Sequence, residues 1–437
     1  MQQQFRVGMV GLGTVGAGVA RILTRHGDRV GRRAGRSIDL KWVVVRDLKK
    51  PRDVDFEGVR IVDDVRRVID DPEIDVVVEL IGGVDTARWI VLEALAAGKH
   101  VVTANKALLA EHGPEVFAAA RKADRAVAFE AAVAGGVPII GAIDVGLAAN
   151  QIQSLAAILN GTCNYILTQM TQDGLAYDRA LADAQALGYA EADPTLDVDG
   201  TDTAHKLAVL AQIAFGADVR AADVPRQGID RLEIADINYA RELGYAVKLL
   251  AHAKIGDGGL ELRVGPSLVK RDLPLAQVHG AYNAVRIVGD AVGDVLFQGR
   301  GAGMAPTASA VVADLIDVAT GRAAITARVL DRWSTDSPPI PLLPASQGRR
   351  RNYLRFSIAD RPGVVAALAT ILGDRGISIA SVIQHEPAPA DEDGAPGPVP
   401  LVIMTHLAVE RDLRAAVAEI DRLDVVRAPS VRLGVEE

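Results

Sequence analysis

The chain of 437 residues contains one cysteine, Cys163. A lone cysteine excludes an internal disulfide and a multi-cysteine metal centre. Positive charge is not in excess. The net charge is −8, which argues against a nucleic-acid partner. The Arg-rich run from Arg21 to Arg36 is local and reads as a solvated helix end and loop. No apolar run approaches the roughly 18 uninterrupted residues of a membrane span. No signal-peptide pattern precedes FRVGMVGLG, which is an apolar strand pattern, so the expected compartment is the cytoplasm. What is present is the composition of a soluble globular protein, 49% hydrophobic and 24% charged, at a length suited to two or three domains.

The first 145 residues alternate strand and helix patterns, among them FRVGMVGL, TVGAGVARILTRH, DVVVELIG, TARWIVLEALAAG and HVVTAN. Short β-rich runs between helices predict an α/β fold with a Rossmann-type, doubly wound parallel sheet. The middle, 146–304, mixes long helical patterns with strands such as LELRVGPSLV and AVRIVG, and reads as an α+β domain. ASAVVADLIDVATG, within about 305–330, reads as a helix returning to the first domain. The Pro-rich, basic segment 331–350 reads as a linker. From 351 to 437 the pattern is βαββαβ, interrupted by a polar insert, PAPADEDGAPGPVP, expected to be a mobile surface loop.

Gly11-Leu12-Gly13-Thr14-Val15-Gly16 is a GxGxxG motif that follows a strand and opens a helix. That context makes it a dinucleotide signal. Gly11 permits the tight turn, Gly13 lets backbone approach a pyrophosphate, and Gly16 allows close helix–strand packing. The second strand ends at Arg46-Asp47, with Lys49, Lys50 and Arg52 beyond. An acid there holds the ribose hydroxyls of NAD, and an arginine takes the 2′-phosphate of NADP. NADP is favoured, and NAD stays open. A second glycine cluster, Gly299 to Gly303, precedes a helix containing Pro306 and is another candidate cofactor contact.

The stretch EADPTLDVDGTDTAHKL, 191–207, holds five carboxylates and one lysine. Asp202 and Lys206 are i and i+4, on one face if the segment is helical. The following residues are strongly apolar, so the helix is expected to be buried, and a buried lysine needs carboxylate partners. A calcium loop fits poorly, because its sixth position is Asp202 instead of Gly and its twelfth is Ala208 instead of Glu. The chemical alternative is a proton donor for the alkoxide that forms when hydride reaches a carbonyl. Surplus carboxylates would then hold a substrate ammonium. Lys106, just past the strand pattern HVVTAN, is a second cationic candidate, because ligands of doubly wound sheets collect there.

Taken together, the blocks GLGTVG, TANKALLA, FEAAVAGGVPII, LNGTCNYIL, GYAEADPTLDVDGTDTAHKL and GAGMAPTASAVVADL resemble those of homoserine dehydrogenases, in the same order over essentially the whole chain. The resemblance is to the monofunctional form with a C-terminal ACT domain. It implies reversible NAD(P)-dependent conversion of L-aspartate 4-semialdehyde to L-homoserine. By the resemblance, Lys206 is the proton donor, Asp202 binds substrate and orients it, and Lys106 faces substrate and nicotinamide. Glu191 matches a substrate carboxylate, and Asp197 is taken with it. Gly13, Thr14, Val15, Arg46, Thr103, Lys106, Gly188 and Gly303 match cofactor contacts. Glu130, Val133, Gly135 and Val137 match a site for Na+ or K+ made largely of backbone carbonyls. Asp193 and Asp199 receive no individual role. The DRPG turn at Asp360–Gly363 resembles an ACT domain's, implying feedback by threonine, pairing into a homodimer or homotetramer, and retained activity after deletion from about residue 345. Two rivals remain: a phosphorylating semialdehyde dehydrogenase with Cys163 as nucleophile, and an amino-acid sensor on a nucleotide fold.

Overall fold

The computed structural model describes residues 4–50, 58–330, 339–385 and 397–436, with the side chains of 328–330 excepted. Arg52 and most of the 387–400 insert lie outside them. The chain divides into two compact units: Met1–Gly161, Asp202–Val224 and Tyr282–Pro341 form the first, and Thr162–Thr201, Pro225–Ala281 and Leu342–Glu437 the second. No described helix is long and apolar enough to cross a membrane.

The first unit is built on a six-stranded parallel sheet in the order Arg60–Val62, Ile38–Val44, Phe5–Val10, Val76–Glu79, His100–Thr103, Val127–Ala128. Sheets covered on both faces read as unbroken apolar runs, and Val76, Val77 and Val78 are fully buried. The order reverses between Phe5–Val10 and Val76–Glu79, which opens the crevice where such sheets bind nucleotides. Helix Thr14–Ala34 runs past the expected end near His26. Its backbone is non-helical at His26 (φ −128°, ψ 19°) and then continues, because Val30 and Ala34 bury into the same core. The basic run is therefore mostly helical. Beyond the helix, Arg36 Nε donates to the Ala319 carbonyl at 3.0 Å and its guanidinium lies over the Phe5 ring.

Helix Met304–Ala319 packs on helix Thr14–Ala34 at Gly18, where an added Cβ would come within 2.8 Å of Ala308 Cβ. An antiparallel set, Ile152–Ile158, Tyr282–Gly289 and Gly293–Arg300, completes this unit.

In the second unit the antiparallel pair Tyr245–Gly256 and Gly259–Lys270 continues into the C-terminal βαββαβ segment. Strand Val426–Glu436 pairs parallel with Gly259–Lys270 at Gly434↔Ser267 and antiparallel with Asn352–Ile358. Val399–Thr405 and Ile379–Gln384 follow in that sheet. Helices Val364–Asp374 and Glu410–Ile420 close its apolar face over Leu354, Phe356, Leu401 and Ile403. The three-part α/β architecture expected from the sequence is thus present. The described part of the 331–350 segment is tied down, with Arg349–Arg350 pairing with Ala408–Val409.

Candidate active site

Helix Lys106–Ala123 begins at the carboxyl end of strand His100–Thr103. Asn105 caps it, its side chain accepting from Leu108 N at 3.1 Å and donating to the Gly83 carbonyl at 2.7 Å. Thr103 anchors the turn: its hydroxyl donates to the buried Glu79 carboxylate at 2.6 Å and accepts from Asn105 N at 3.0 Å. These bonds satisfy groups that a strand-to-helix turn leaves open. They also fix Lys106 at the first helical position.

Helix Thr201–Phe215 carries Asp202 and Lys206 one turn apart. Asp202 takes Lys106 on Oδ1, and on Oδ2 it takes Lys206 at 2.8 Å and Asn160 Nδ2 at 3.0 Å. Lys206 Nζ also donates to the Leu159 carbonyl at 2.7 Å, which accepts from Asn283 Nδ2 at 2.9 Å. Burial alone would push the Asp202 carboxyl up. The charges of Lys206 and Lys106, with their hydrogen bonds, overrule it and hold the group far below the ordinary carboxylate range. Side-chain exposure separates the two lysines, 38% for Lys106 and 11% for Lys206. Two ammonium groups against one ionised carboxylate leave net positive charge, suited to an oxygen gaining negative charge.

At the nucleotide crevice Gly11 has φ +107°, and an added Cβ would lie 2.6 Å from the Leu80 carbonyl oxygen. An added Cβ on Gly16 would lie 2.3 Å from the Gly11 carbonyl oxygen. Gly13 has nothing within 4 Å of that position and leaves the helix start without a side-chain cap. Thr14 and Val15 open the helix, whose first turn holds no acid. An open glycine before uncapped N–H groups fits a pyrophosphate. Arg46 is exposed just beyond strand Ile38–Val44, and Asp47 accepts from Lys49 N at 2.8 Å. Gly303 (φ +114°) is the N-cap of Met304–Ala319, which puts Pro306 in the first turn.

The segment 130–141 is a closed loop. The Glu130 carboxylate accepts from Ile140 N at 2.9 Å and Gly141 N at 2.7 Å, and Glu130 N donates to Asp314 at 2.9 Å. Burial raises the carboxyls of both Glu130 and Asp314. Gly135 and Gly136 N–H groups bond to the carbonyls of Gly301 and Arg300. Val133, Gly135 and Val137 are buried, and Ala134 holds φ +48°, a conformation that a non-glycine residue keeps only under external constraint.

A homoserine dehydrogenase NAD-binding profile matches residues 11–130, a homoserine dehydrogenase profile 138–316, and an ACT profile 352–425. The homoserine dehydrogenase of Pseudomonas aeruginosa is 47% identical over 99% of each chain. The chain belongs to the homoserine dehydrogenase family. A crystal structure of the Thiobacillus denitrificans homoserine dehydrogenase superposes with a TM-score of 0.92 at 45% identity, covering 100% of both chains. A hyperthermophilic archaeal homoserine dehydrogenase solved with NADPH has a TM-score of 0.60 at 25% identity, covering 72% of this chain and 97% of its own. The protein is thus an NAD(P)-dependent oxidoreductase acting on a CH–OH group, interconverting L-homoserine and L-aspartate 4-semialdehyde, and it carries an ACT domain.

Of the expected residues, the first unit brings Lys106, Asp202 and Lys206 into one cluster. Glu191, Asp197 and Gly188 belong to the second unit. There Glu191 is exposed, and Gly188 (φ +73°) ends the helix Tyr177–Ala186, its N–H bonded to the Gln185 carbonyl. Asp193 binds Thr195 through N (3.1 Å) and Oγ1 (2.6 Å). Asp199 likewise binds Thr201, at 2.7 and 2.8 Å. Both fold back on the residue two positions ahead, closing the turns that lead into helices Thr195–Val198 and Thr201–Phe215. Cys163 is fully buried, its thiol donating to the Asp197 carbonyl at 3.3 Å, which suits packing and not a nucleophile. The sequence reading missed Asn160, Asn283 and Glu79. Asn160 stood within the quoted block LNGTCNYIL, and its place in that block was the available signal.

Proposed function

We propose that Lys206 is the general acid of this dehydrogenase, that Asp202 positions it, and that Lys106 is a second cation at the reacting oxygen. When bound, NADPH supplies the hydride to the aldehyde carbon. As the C–H bond forms, the carbonyl π pair moves onto oxygen. A Lys206 Nζ–H proton passes to that oxygen and yields the hydroxyl of L-homoserine. In the reverse direction neutral Lys206 takes the hydroxyl proton. Asp202 stays ionised throughout, because the two lysines hold its carboxyl down. The observation that carries this reading is the single buried carboxylate shared by Lys106, Lys206 and Asn160.

Glu191 and Asp197 are assigned to the substrate ammonium. Gly11 to Gly16, Thr103, Gly188 and Gly303 are assigned to the cofactor. Arg46 favours NADP over NAD, since a guanidinium takes the 2′-phosphate. Glu130, Val133, Gly135 and Val137 would hold a monovalent cation, Na+ or K+, and the buried, constrained loop around Ala134 supports that reading. Threonine is the proposed effector, bound at the ACT turn, where Gly363 (φ +88°) caps helix Val364–Asp374. The working form is a cytoplasmic homodimer or homotetramer.

The test follows NADPH absorbance with L-aspartate 4-semialdehyde for the wild type and Lys206→Ala. Loss of a general acid costs roughly 10²–10⁴-fold, so kcat should fall by that factor while NADPH affinity holds. If the variant keeps most of its rate, Lys206 is not the donor and Lys106 takes that role.

A further inference from the structure

The second unit carries a cavity of about 660 Å³ that no step of the reaction uses. It lies where helix Glu410–Ile420 and strand Val426–Glu436 meet the segment 225–232 and strand Gly259–Lys270. Its lining presents Arg226, Arg231, Arg263, Arg350, Arg414 and Arg432, against only two acids, Asp230 and Asp421.

Acids packed behind this wall do not neutralise it. Glu410, fully buried, alone takes Arg350 at 2.6 Å and both Arg414 and Arg432 at 2.5 Å. Glu261 meets Arg350 at 3.2 Å, and Glu436 is shared between Arg263 and His252, each at 3.4 Å. Asp421 already accepts from Ser430 N and Oγ at 3.2 Å. Arg226 and Arg231 are exposed and make no ion pair among the described residues. Burial, with Arg350 adding to it, lowers the Arg263 guanidinium to about 10. Burial works against an ionised Glu410, yet the arginines hold it at about 2. Guanidinium forks crowded around too few carboxylates form a site for an external anion, and their planar N–H pairs match phosphate oxygens.

The wall bearing the two unpaired arginines is built into the acidic stretch. Gln227 N donates to the Val264 carbonyl at 3.0 Å, and Ile229 N to the Val198 carbonyl at 2.9 Å. An added Cβ on Gly228 would lie 2.4 Å from Val198 O and 2.8 Å from Asp199 Cα. On the far side, Gln227 Nε2 donates to the Arg432 carbonyl at 3.2 Å. A ligand drawing Arg226 and Arg231 toward Arg414 and Arg432 therefore loads the segment that supports Asp197–Gly200.

We propose that this arginine-lined cavity binds a small phosphate-bearing anion, and that its occupancy changes the affinity for homoserine. The coupling half rests on the assignment of Asp197 and its neighbours to substrate; the binding half does not.

Inorganic pyrophosphate is titrated calorimetrically into the full chain, with NADP saturating the nucleotide crevice and chloride matching the ionic strength. Saturable binding at one site per chain is expected, at least tenfold weaker in Arg226→Glu/Arg231→Glu. The anion-free melting temperature of that variant checks its fold, and Arg226→Gln/Arg231→Gln replaces it if the first pair unfolds early. Heat no greater than with chloride, or equal affinity in the variant, overturns the site. Citrate binding as tightly as pyrophosphate overturns the phosphate assignment. A several-fold shift in homoserine KM with pyrophosphate, absent in the variant, is expected, and an unchanged wild-type KM overturns the coupling.

Discussion

Asp202 occupies a position that an uncharged isostere does not fill. It is the carboxylate for Lys206, which is nearly buried, and for Lys106, which can reach water. Asp202→Asn turns an amide group toward two cations and leaves Lys206 with carbonyl and amide dipoles only. Breaking a buried pair in this way costs about 3–5 kcal/mol, and exposure of Lys106 moves the expectation to the lower end. The sign with pH follows from the depressed carboxyl of Asp202. Its contribution is fully present above the unfolded value, about 3.9, and is lost as pH falls toward the folded one. Urea unfolding should therefore show a constant wild-type advantage from pH 5 to 9 that shrinks below about pH 4. An advantage that instead faded between pH 6 and 8 would tie the effect to another group. The Asp202–Lys206 pair was legible as helical spacing. Asn160 and Asn283 were not, because their partners are a carboxylate 42 positions away and a carbonyl 124 positions away.

The turn from Gly11 to Gly16 shows how one element divides folding from binding. Gly16 has no room for a methyl group, since its Cβ would press on the Gly11 carbonyl oxygen. Gly13 has open space and a φ of −80° that any residue adopts. Gly16→Ala should lower the melting temperature of the cofactor-free protein. Gly13→Ala should leave that temperature within a degree or two while weakening NADPH binding at least tenfold, because the methyl occupies the pyrophosphate approach. Thermal unfolding and a fluorescence titration of NADPH check both, and equal behaviour of the two variants would remove the distinction. The motif and its roles were legible locally. The length of the helix it opens was not, because Gly27, Gly31 and three arginines, Arg29, Arg32 and Arg33, read as loop, while the burial of Val30 and Ala34 that holds the helix comes from distant residues.

At the scale of the whole chain, the order of six blocks made the family legible. The manner in which the C-terminal domain is attached was not, since strand pairing between residues 259–270 and 426–436 leaves no local mark. The sequence alone suggests that deletion from about residue 345 leaves a working enzyme. The second unit argues otherwise. Deletion removes strand Val426–Glu436 and bares the edge of Gly259–Lys270, an invitation to aggregate. It also strips Asp236 of its counterion and of a hydroxyl donor, leaving, among the described residues, only the Glu233 N–H at 3.1 Å. That carboxylate is fully buried on helix Ile234–Glu242 and is held by Arg355 through Nε at 2.7 Å and Nη2 at 3.0 Å, and by the Tyr353 hydroxyl at 3.0 Å. A buried charge without its counterion costs several kcal/mol, a large part of the stability of any domain. The truncated chain should therefore be poorly soluble or melt well below the full one, and adding Asp236→Leu should recover part of the loss. A truncated chain that melts with the full-length protein would show that the shared sheet contributes little. Threonine response is better tested by substitution at Asp360 or Arg361, exposed on the turn before Gly363, where activity can be compared in chains that keep the sheet intact.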